Sequence, residues 1–155
     1  MTFLNLLVGL PAILLCLVAQ VAALFWCVRY YVRQSMSSPD RQGFLAGIRP
    51  LVVATLVMLA ANVAQIVVWG VLFLWLGEFT QAYDAIYHSA VNFTSLGYGD
   101  IVMTRNRKLL GPLEAVNGVL MLGMTAAALM AIVQHMIKSQ QDAILAGRDG
   151  RGQDA

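Results

Sequence analysis

Three long apolar stretches constrain this chain more than any other feature of its sequence. They run from Phe3 to Cys27, from Leu51 to Leu76 and from Leu109 to Ile137. Each exceeds the ~20 helical residues that cross a hydrocarbon core of about 30 Å. The chain is also 59% hydrophobic and 12% charged, against roughly 45–50% and about 25% in a soluble domain. The sequence therefore predicts an all-α membrane protein with three transmembrane helices, and it excludes a soluble globular enzyme and a disordered chain.

The first stretch is predicted to be a retained transmembrane helix over residues 1–34. A signal peptide would need a basic start and an apolar run of only about 7–15 residues. Residues 1–5 contain no Lys or Arg, and the apolar run is longer than that. Pro11 lies inside the stretch, where we expect a kink.

The basic residues indicate how the helices are oriented in the membrane. A loop over residues 35–47 is predicted to be cytoplasmic because it and its flanks contain Arg29, Arg33, Arg41 and Arg49. A short tail over residues 139–155 is predicted to be cytoplasmic as well, since Lys138, Arg148 and Arg151 lie in or beside it. Three basic residues lie in the segment that this orientation would place outside, and they argue for the opposite orientation: Arg105, Arg107 and Lys108. We therefore expect a multi-pass protein of the cell membrane (the inner membrane, if the source is bacterial) with the N-terminus outside.

Several classes of chemistry have no support in the sequence. The net charge of +2 is too small to indicate nucleic-acid binding. Cys16 and Cys27 lie about 16 Å apart along one helix, which is too far for a disulfide within it. No pair of nucleophile and base, carboxylate pair or phosphate-binding loop is apparent. We expect no enzyme activity, no cofactor and no soluble partner.

A different segment, Gly77 to Lys108, separates the second and third stretches. It is moderately polar and begins with a helical pattern over residues 80–94, which Thr80 is placed to cap. That helix is too short to cross a membrane, and glycines follow it. The pattern predicts a re-entrant pore helix and loop between two spans.

The six residues Ser95-Leu96-Gly97-Tyr98-Gly99-Asp100 follow this short helix. An ion that crosses a bilayer loses its hydration, and a row of backbone carbonyls can replace the lost water. Glycine at positions 97 and 99 allows the backbone conformations that such a row requires. Asp100 is placed to attract cations at the outer mouth, and the Ser95 hydroxyl to add an oxygen at the inner end. The segment 95–100 is therefore predicted to be a selectivity filter.

The filter and its surroundings resemble the pore domain of the potassium channel family, whose usual filter is TVGYGD. The resemblance covers residues 48–138: an outer helix, the pore helix 80–94, the filter 95–100 and an inner helix 109–138. The match at Gly97-Tyr98-Gly99-Asp100 is complete, whereas Ser95 replaces Thr and Leu96 replaces Val. The resemblance implies K⁺ as the transported ion, bound by carbonyls of Ser95, Leu96, Gly97 and Tyr98. It also implies a homotetramer with three identical partner subunits in membrane lipid.

Four further residues are candidates for roles beside the filter. His88 is expected to bond Asp100 at the outer mouth, with an exposed or locally satisfied histidine as the alternative. Gly118 is a candidate hinge of the inner helix, or a site of close helix packing. Asn117 either lines the cavity or bonds a neighbouring helix. Glu114, an ionisable residue near the outer end of its span, is expected to be held by the pore helix or by Lys108.

Polar residues within the first two spans are predicted to form hydrogen bonds between helices. These residues are Gln20, Asn62 and Gln65. None of the spans carries an arginine ladder, so voltage sensing of the usual kind is not expected.

The function predicted from the sequence is passive, selective K⁺ conduction through a homotetrameric pore. Two alternatives remain open at this point. One is a weakly selective monovalent cation channel. The departures of Ser95 and Leu96 from the usual filter residues suggest this alternative. The other is a non-conducting membrane scaffold or regulatory subunit.

Overall fold

The computed structural model describes residues 2–37 and 44–153, with side chains for residues 2–33, 48–141 and 145. Within these residues the regular structure is entirely helical, in four elements. They are α1 (Thr2–Ser37), α2 (Phe44–Trp75), α3 (Ala82–Phe93) and α4 (Leu110–Gln153). Arg41 and the centre of the predicted 35–47 loop lie outside the described residues. The predicted all-α architecture is confirmed.

Three of the helices are long and apolar enough to cross a membrane. The spans are Thr2–Arg33, Ile48–Trp75 and Leu110–Gln141. Many of their apolar side chains are exposed, including Phe25, Leu59 and Val119. Trp26 and Trp75 are also exposed and lie near opposite ends of the bundle. A helix that exposes apolar side chains along its length suits contact with lipid tails. The chain is therefore a multi-pass membrane protein.

The observed helix bounds correct several predicted ones. α2 begins at Phe44, before the start of the predicted pore domain at residue 48, and Pro50 lies within the helix. The proline removes one backbone hydrogen bond without ending the helix. α3 is shorter than 80–94, and Gln81 rather than Thr80 occupies its N-cap, without a side-chain capping bond. α4 continues to Gln153, whereas the inner helix was expected to end at 138. Residues 139–146 are mostly good helix formers and include no proline, which favours continuation of the helix as far as residue 146.

Two apolar cores hold the helices together, one at each end of the bundle. The filter-end core contains Cys16, Trp69, Phe73, Met103 and Leu110. The opposite-end core contains Cys27, Ala54, Met58 and Ile132. Each core joins α1, α2 and α4, so α1 is packed along its length against the other two spans. Of the three other helices described, the short helix α3 packs against α2 and α4.

A polar network links the three spans between these cores. Gln20 donates to Thr125 Oγ1 at 2.9 Å and to the Met121 carbonyl at 3.3 Å. Gln65 donates to Gln20 Oε1 at 2.8 Å. Asn62 donates to Thr125 Oγ1 at 3.1 Å. The predicted bonds between helices at Gln20, Asn62 and Gln65 are confirmed.

Candidate functional site

The filter segment has an alternating backbone conformation. The φ angles are +59° at Ser95, +60° at Gly97 and +74° at Gly99. Glycine adopts these left-handed values without strain, so the positive φ angles at residues 97 and 99 occur where the sequence has glycine. The left-handed Ser95 was not anticipated. A β-branched threonine tolerates such a φ poorly, which gives a physical reason for serine at this position.

The backbone amides at the start of the filter point back towards α3. Leu96 N–H donates to the Val91 carbonyl at 3.0 Å, and Gly97 N–H reaches the same oxygen at 3.4 Å. In a trans peptide the N–H and the preceding C=O point in opposite directions. The carbonyls of Ser95 and Leu96 therefore point away from α3. A row of carbonyls facing one axis requires this direction.

The filter segment is not covered by the residues that the structure describes. Residues 94–100 are all exposed, and the side chains of Leu96 and Tyr98 expose 58% and 67% of their areas. Backbone polar groups at membrane depth need partners. Among the described residues, none covers this face, so its backbone groups are open to other partners.

The short helix α3 ends directly beneath the filter. It begins after Gln81, with Asp84 in its first turn, and ends at Phe93. The C-terminal end of a helix carries a partial negative charge. Since that end adjoins Ser95, it favours a positive charge close to this residue.

The outer end of the filter is held by Tyr87. The Tyr87 hydroxyl donates to Asp100 Oδ2 at 2.7 Å. This bond lowers the pKa of Asp100 below its usual value and raises the pKa of Tyr87. The bond from Tyr87 therefore favours the ionised, negatively charged form of Asp100. Among the described residues, Tyr87 and not His88 makes the side-chain bond to Asp100, so the expected His88–Asp100 bond is wrong.

His88 instead bridges α3 and the residue after the filter. Its Nδ1 lies 2.9 Å from the Ile101 carbonyl, and its Nε2 lies 2.9 Å from Asn92 Nδ2. A carbonyl can only accept, so Nδ1 carries the proton and Nε2 accepts from Asn92. Burial lowers the pKa of His88, which favours this neutral form. The ring also packs between Phe73 and Phe79.

Gly118 is the point where α4 contacts the end of α3. A Cβ at this position would lie 2.6 Å from the carbonyl carbon and 2.8 Å from the Cα of Phe93, and closer still to the carbonyl oxygen. No side chain fits against backbone at those distances. Of the two roles expected for Gly118, the structure favours close packing over a hinge.

Asn117 and Glu114 face the interior of the chain. Both are fully buried, and neither amide atom of the Asn117 side chain has a hydrogen-bond partner among the described residues. The Asn117 amide lies beside the Cys16 thiol of α1. This position favours a contact with neighbouring helices over the lining of a cavity. Glu114 contacts Ser89 of α3 through Oε1 at 2.5 Å, so of its two expected partners the pore helix is the one observed.

Glu78 joins the loop after α2 to the loop after the filter segment, in a set of contacts that we call the clasp and that the sequence did not reveal. Glu78 accepts from the Thr104 N–H at 2.7 Å and from the Thr104 hydroxyl at 2.9 Å. It also pairs with Arg107 Nε at 3.3 Å. Asn5 of α1 donates to the Asn106 carbonyl at 2.8 Å. The loop that follows the filter is thereby fixed to both α1 and the end of α2.

Comparison with known proteins adds one finding to this geometry. A family model described as "Ion channel" matches residues 52–135, which is more than half of the 155 residues. The match contains α3, the filter segment and most of the spans formed by α2 and α4, and it lies within the predicted pore domain 48–138. No curated protein and no solved structure matches the chain.

Proposed function

Since the chain belongs to this ion channel family, we propose that it conducts K⁺ passively through a homotetrameric pore. The observation that carries the proposal is the filter segment, whose carbonyls at Ser95 and Leu96 point away from α3 on a face that the rest of the described chain leaves exposed. The family is one of channels and not of enzymes. K⁺ is the transported ion, and conduction requires no cofactor.

A carbonyl cage around a dehydrated ion requires several chains, and the resemblance to the potassium channel family implies four. One chain supplies one ribbon of carbonyls, from Ser95, Leu96, Gly97 and Tyr98. Four ribbons around an axis replace the hydration shell of the ion. Three identical subunits therefore supply the partners that the exposed segment lacks. Membrane lipid covers the exposed apolar faces of the spans.

The charges around the proposed pore favour cations. Asp100 adds a negative charge at the outer mouth, where its bond from Tyr87 stabilises the ionised form. The negative end of the α3 dipole faces the inner side of the filter. A cation would therefore meet a favourable electrostatic potential on both sides of the carbonyl sites at which it is dehydrated.

We also propose an orientation in the cell membrane, with the N-terminus outside and the C-terminus in the cytoplasm. Arg33, Arg49 and Lys138 are on the helix segments that meet at the opposite-end core, away from the filter. At the filter end, Arg107 is neutralised in part by Glu78. This distribution agrees with a cytoplasmic location of the opposite end.

A weakly selective monovalent cation channel is the second candidate function. Leu96 in place of valine changes how the ribbon packs, and the left-handed Ser95 differs from the usual threonine. Reversal potentials in mixed K⁺ and Na⁺ separate the two functions. A ratio near unity would favour the second.

The direct test is uptake of K⁺ or Rb⁺ into liposomes that contain the purified protein. We expect uptake that Ba²⁺ blocks, since Ba²⁺ is a divalent ion of similar size to K⁺. A Gly97→Ala variant should lose uptake because φ is +60° there while no atom lies within 4 Å of the added methyl group. Gly123→Ala is the matched control, since Gly123 is helical and equally open. Absence of uptake by the unmodified tetramer would favour a scaffold or regulatory subunit.

A further inference from the structure

Glu114 is a buried carboxyl group without a cationic partner. Its residue is fully buried, and no basic side chain of the described residues pairs with it. Its Oε2 has no hydrogen-bond partner within the part of the chain that the structure describes. An unpaired carboxylate in such a place would be very costly.

The geometry around Ser89 identifies where a proton must be. Ser89 Oγ lies 2.7 Å from the Ile66 carbonyl of α2 and 2.5 Å from Glu114 Oε1. A serine hydroxyl has one hydrogen, and a carbonyl can only accept. The hydrogen of Ser89 therefore belongs to the Ile66 contact. The short contact to Glu114 then needs a second hydrogen, which only the carboxyl group can supply.

We infer that Glu114 is a protonated, neutral acid that donates to Ser89 and so fixes the pore helix between the outer and inner helices. The chain of hydrogen bonds runs from Glu114 of α4 to Ser89 of α3, and from Ser89 to the Ile66 carbonyl of α2. Ser89 precedes the filter by six residues of sequence and lies on the helix whose end contacts Gly118. Glu114 is thus a positioning residue for the filter. The proton assignment stands on the contacts alone, whereas its effect on conduction rests on the proposed function.

Infrared difference spectroscopy tests the proton directly. The spectrum of the full-length protein minus that of Glu114→Gln should contain the C=O stretch of a protonated carboxyl group, which shifts in D₂O. Glu78→Gln is the matched control, because Glu78 is paired with Arg107 and should lose only carboxylate bands. A loss of carboxylate bands alone in Glu114→Gln would overturn the assignment.

Conduction tests the positioning role. Glu114→Gln should retain the K⁺ uptake and the K⁺/Na⁺ ratio of the parent, because the amide still donates to Ser89. Glu114→Leu should lower uptake at least about tenfold, the effect of about 1.4 kcal/mol, since it removes the donor. If Glu114→Leu does not assemble, Ser89→Ala makes a smaller change at the same contact and should act in the same direction. Parental uptake in both Glu114→Leu and Ser89→Ala would overturn the role.

Failure of the inference is distinguishable from failure of the proposed function. If the unmodified protein takes up no K⁺, the proposed function fails, and the infrared result still decides the protonation state. If uptake is normal and the infrared band is absent, the inference alone fails.

Discussion

At the scale of single residues, the contact of Gly118 with the end of α3 gives the sharpest prediction. We expect Gly118→Ala to destabilise the protein by about 1–3 kcal/mol, the usual cost of overpacking, because the methyl group meets backbone of Phe93. Conduction should fall with it, since Phe93 adjoins the filter. Thermal unfolding in detergent and ion uptake are the measurements.

The matched control for this prediction is Gly123→Ala. Its added methyl group has no atom within 4 Å, and alanine stabilises a helix interior by roughly 0.5–1 kcal/mol relative to glycine. A pure hinge role at Gly118 predicts that both variants are at least as stable as the parent. Equal stability of the two would therefore contradict the packing interpretation.

The buried His88 should make the protein less stable in acid. Burial lowers its pKa from about 6.5, so below that pH the unfolded chain binds more protons than the folded one. The free energy of unfolding should then fall as pH falls below about 6.5. Thermal unfolding between about pH 7.5 and about pH 5 measures this.

A His88→Gln variant should lose part of that acid response. His135→Gln is its control, because it removes the other histidine of the chain and leaves His88 in place. An identical acid response in His88→Gln would show that other groups cause the effect.

Sequence reasoning identified some of these residues but not their partners. Gly97 and Gly99 were predictable because only glycine adopts a left-handed φ without strain. The choice between Tyr87 and His88 as partner of Asp100 was not, since neighbouring helical residues differ by about 100° in direction. Which one meets the carboxylate depends on the rotation of α3, and packing against α2 and α4 sets that rotation.

At the scale of elements, α1 is bound to the other spans by the polar network as well as by apolar packing. We expect Gln20→Leu to destabilise the protein by about 1–3 kcal/mol, because it leaves the Gln65 amide hydrogens buried without an acceptor. Thermal unfolding in detergent measures the loss. Val21→Leu changes an exposed neighbour and should have little effect.

The double variant Gln20→Leu/Gln65→Leu refines this prediction. Replacing both partners by apolar groups is often nearly neutral, so it should recover part of the stability lost in Gln20→Leu. If the two single losses simply add in the double variant, the two side chains are not coupled and the network has no such role.

The existence and type of each helix were predictable, but several bounds were not. Apolar runs longer than the bilayer core predicted the three spans directly. The start of α2 at Phe44 and the end of α4 at Gln153 lie in mixed sequence, where helix continuation depends on small propensity differences. The clasp at Glu78 joins residues about 26 positions apart, and no periodic pattern marks such a contact.

At the scale of the whole molecule, the proposed tetramer should be more stable in K⁺ than in Na⁺. A ligand that binds only the folded assembly stabilises it by about 2.7 kcal/mol at 100 times its dissociation constant. The measurement is the temperature at which the tetramer dissociates, with either cation at equal ionic strength. Gly97→Ala should abolish the difference, and an equal temperature in both salts for the parent would contradict bound K⁺.

The positions of the tryptophans allow the orientation of the chain in a membrane to be measured from its own fluorescence. Trp26 and Trp75 are exposed at opposite ends of the bundle, whereas Trp69 is fully buried in the filter-end core. Aromatic residues at such ends lie at the two membrane interfaces. A water-soluble quencher added to one side of a vesicle should therefore quench the fluorescence of one tryptophan and leave that of the other two unchanged. The result would show which end of the bundle faces that side, without any label.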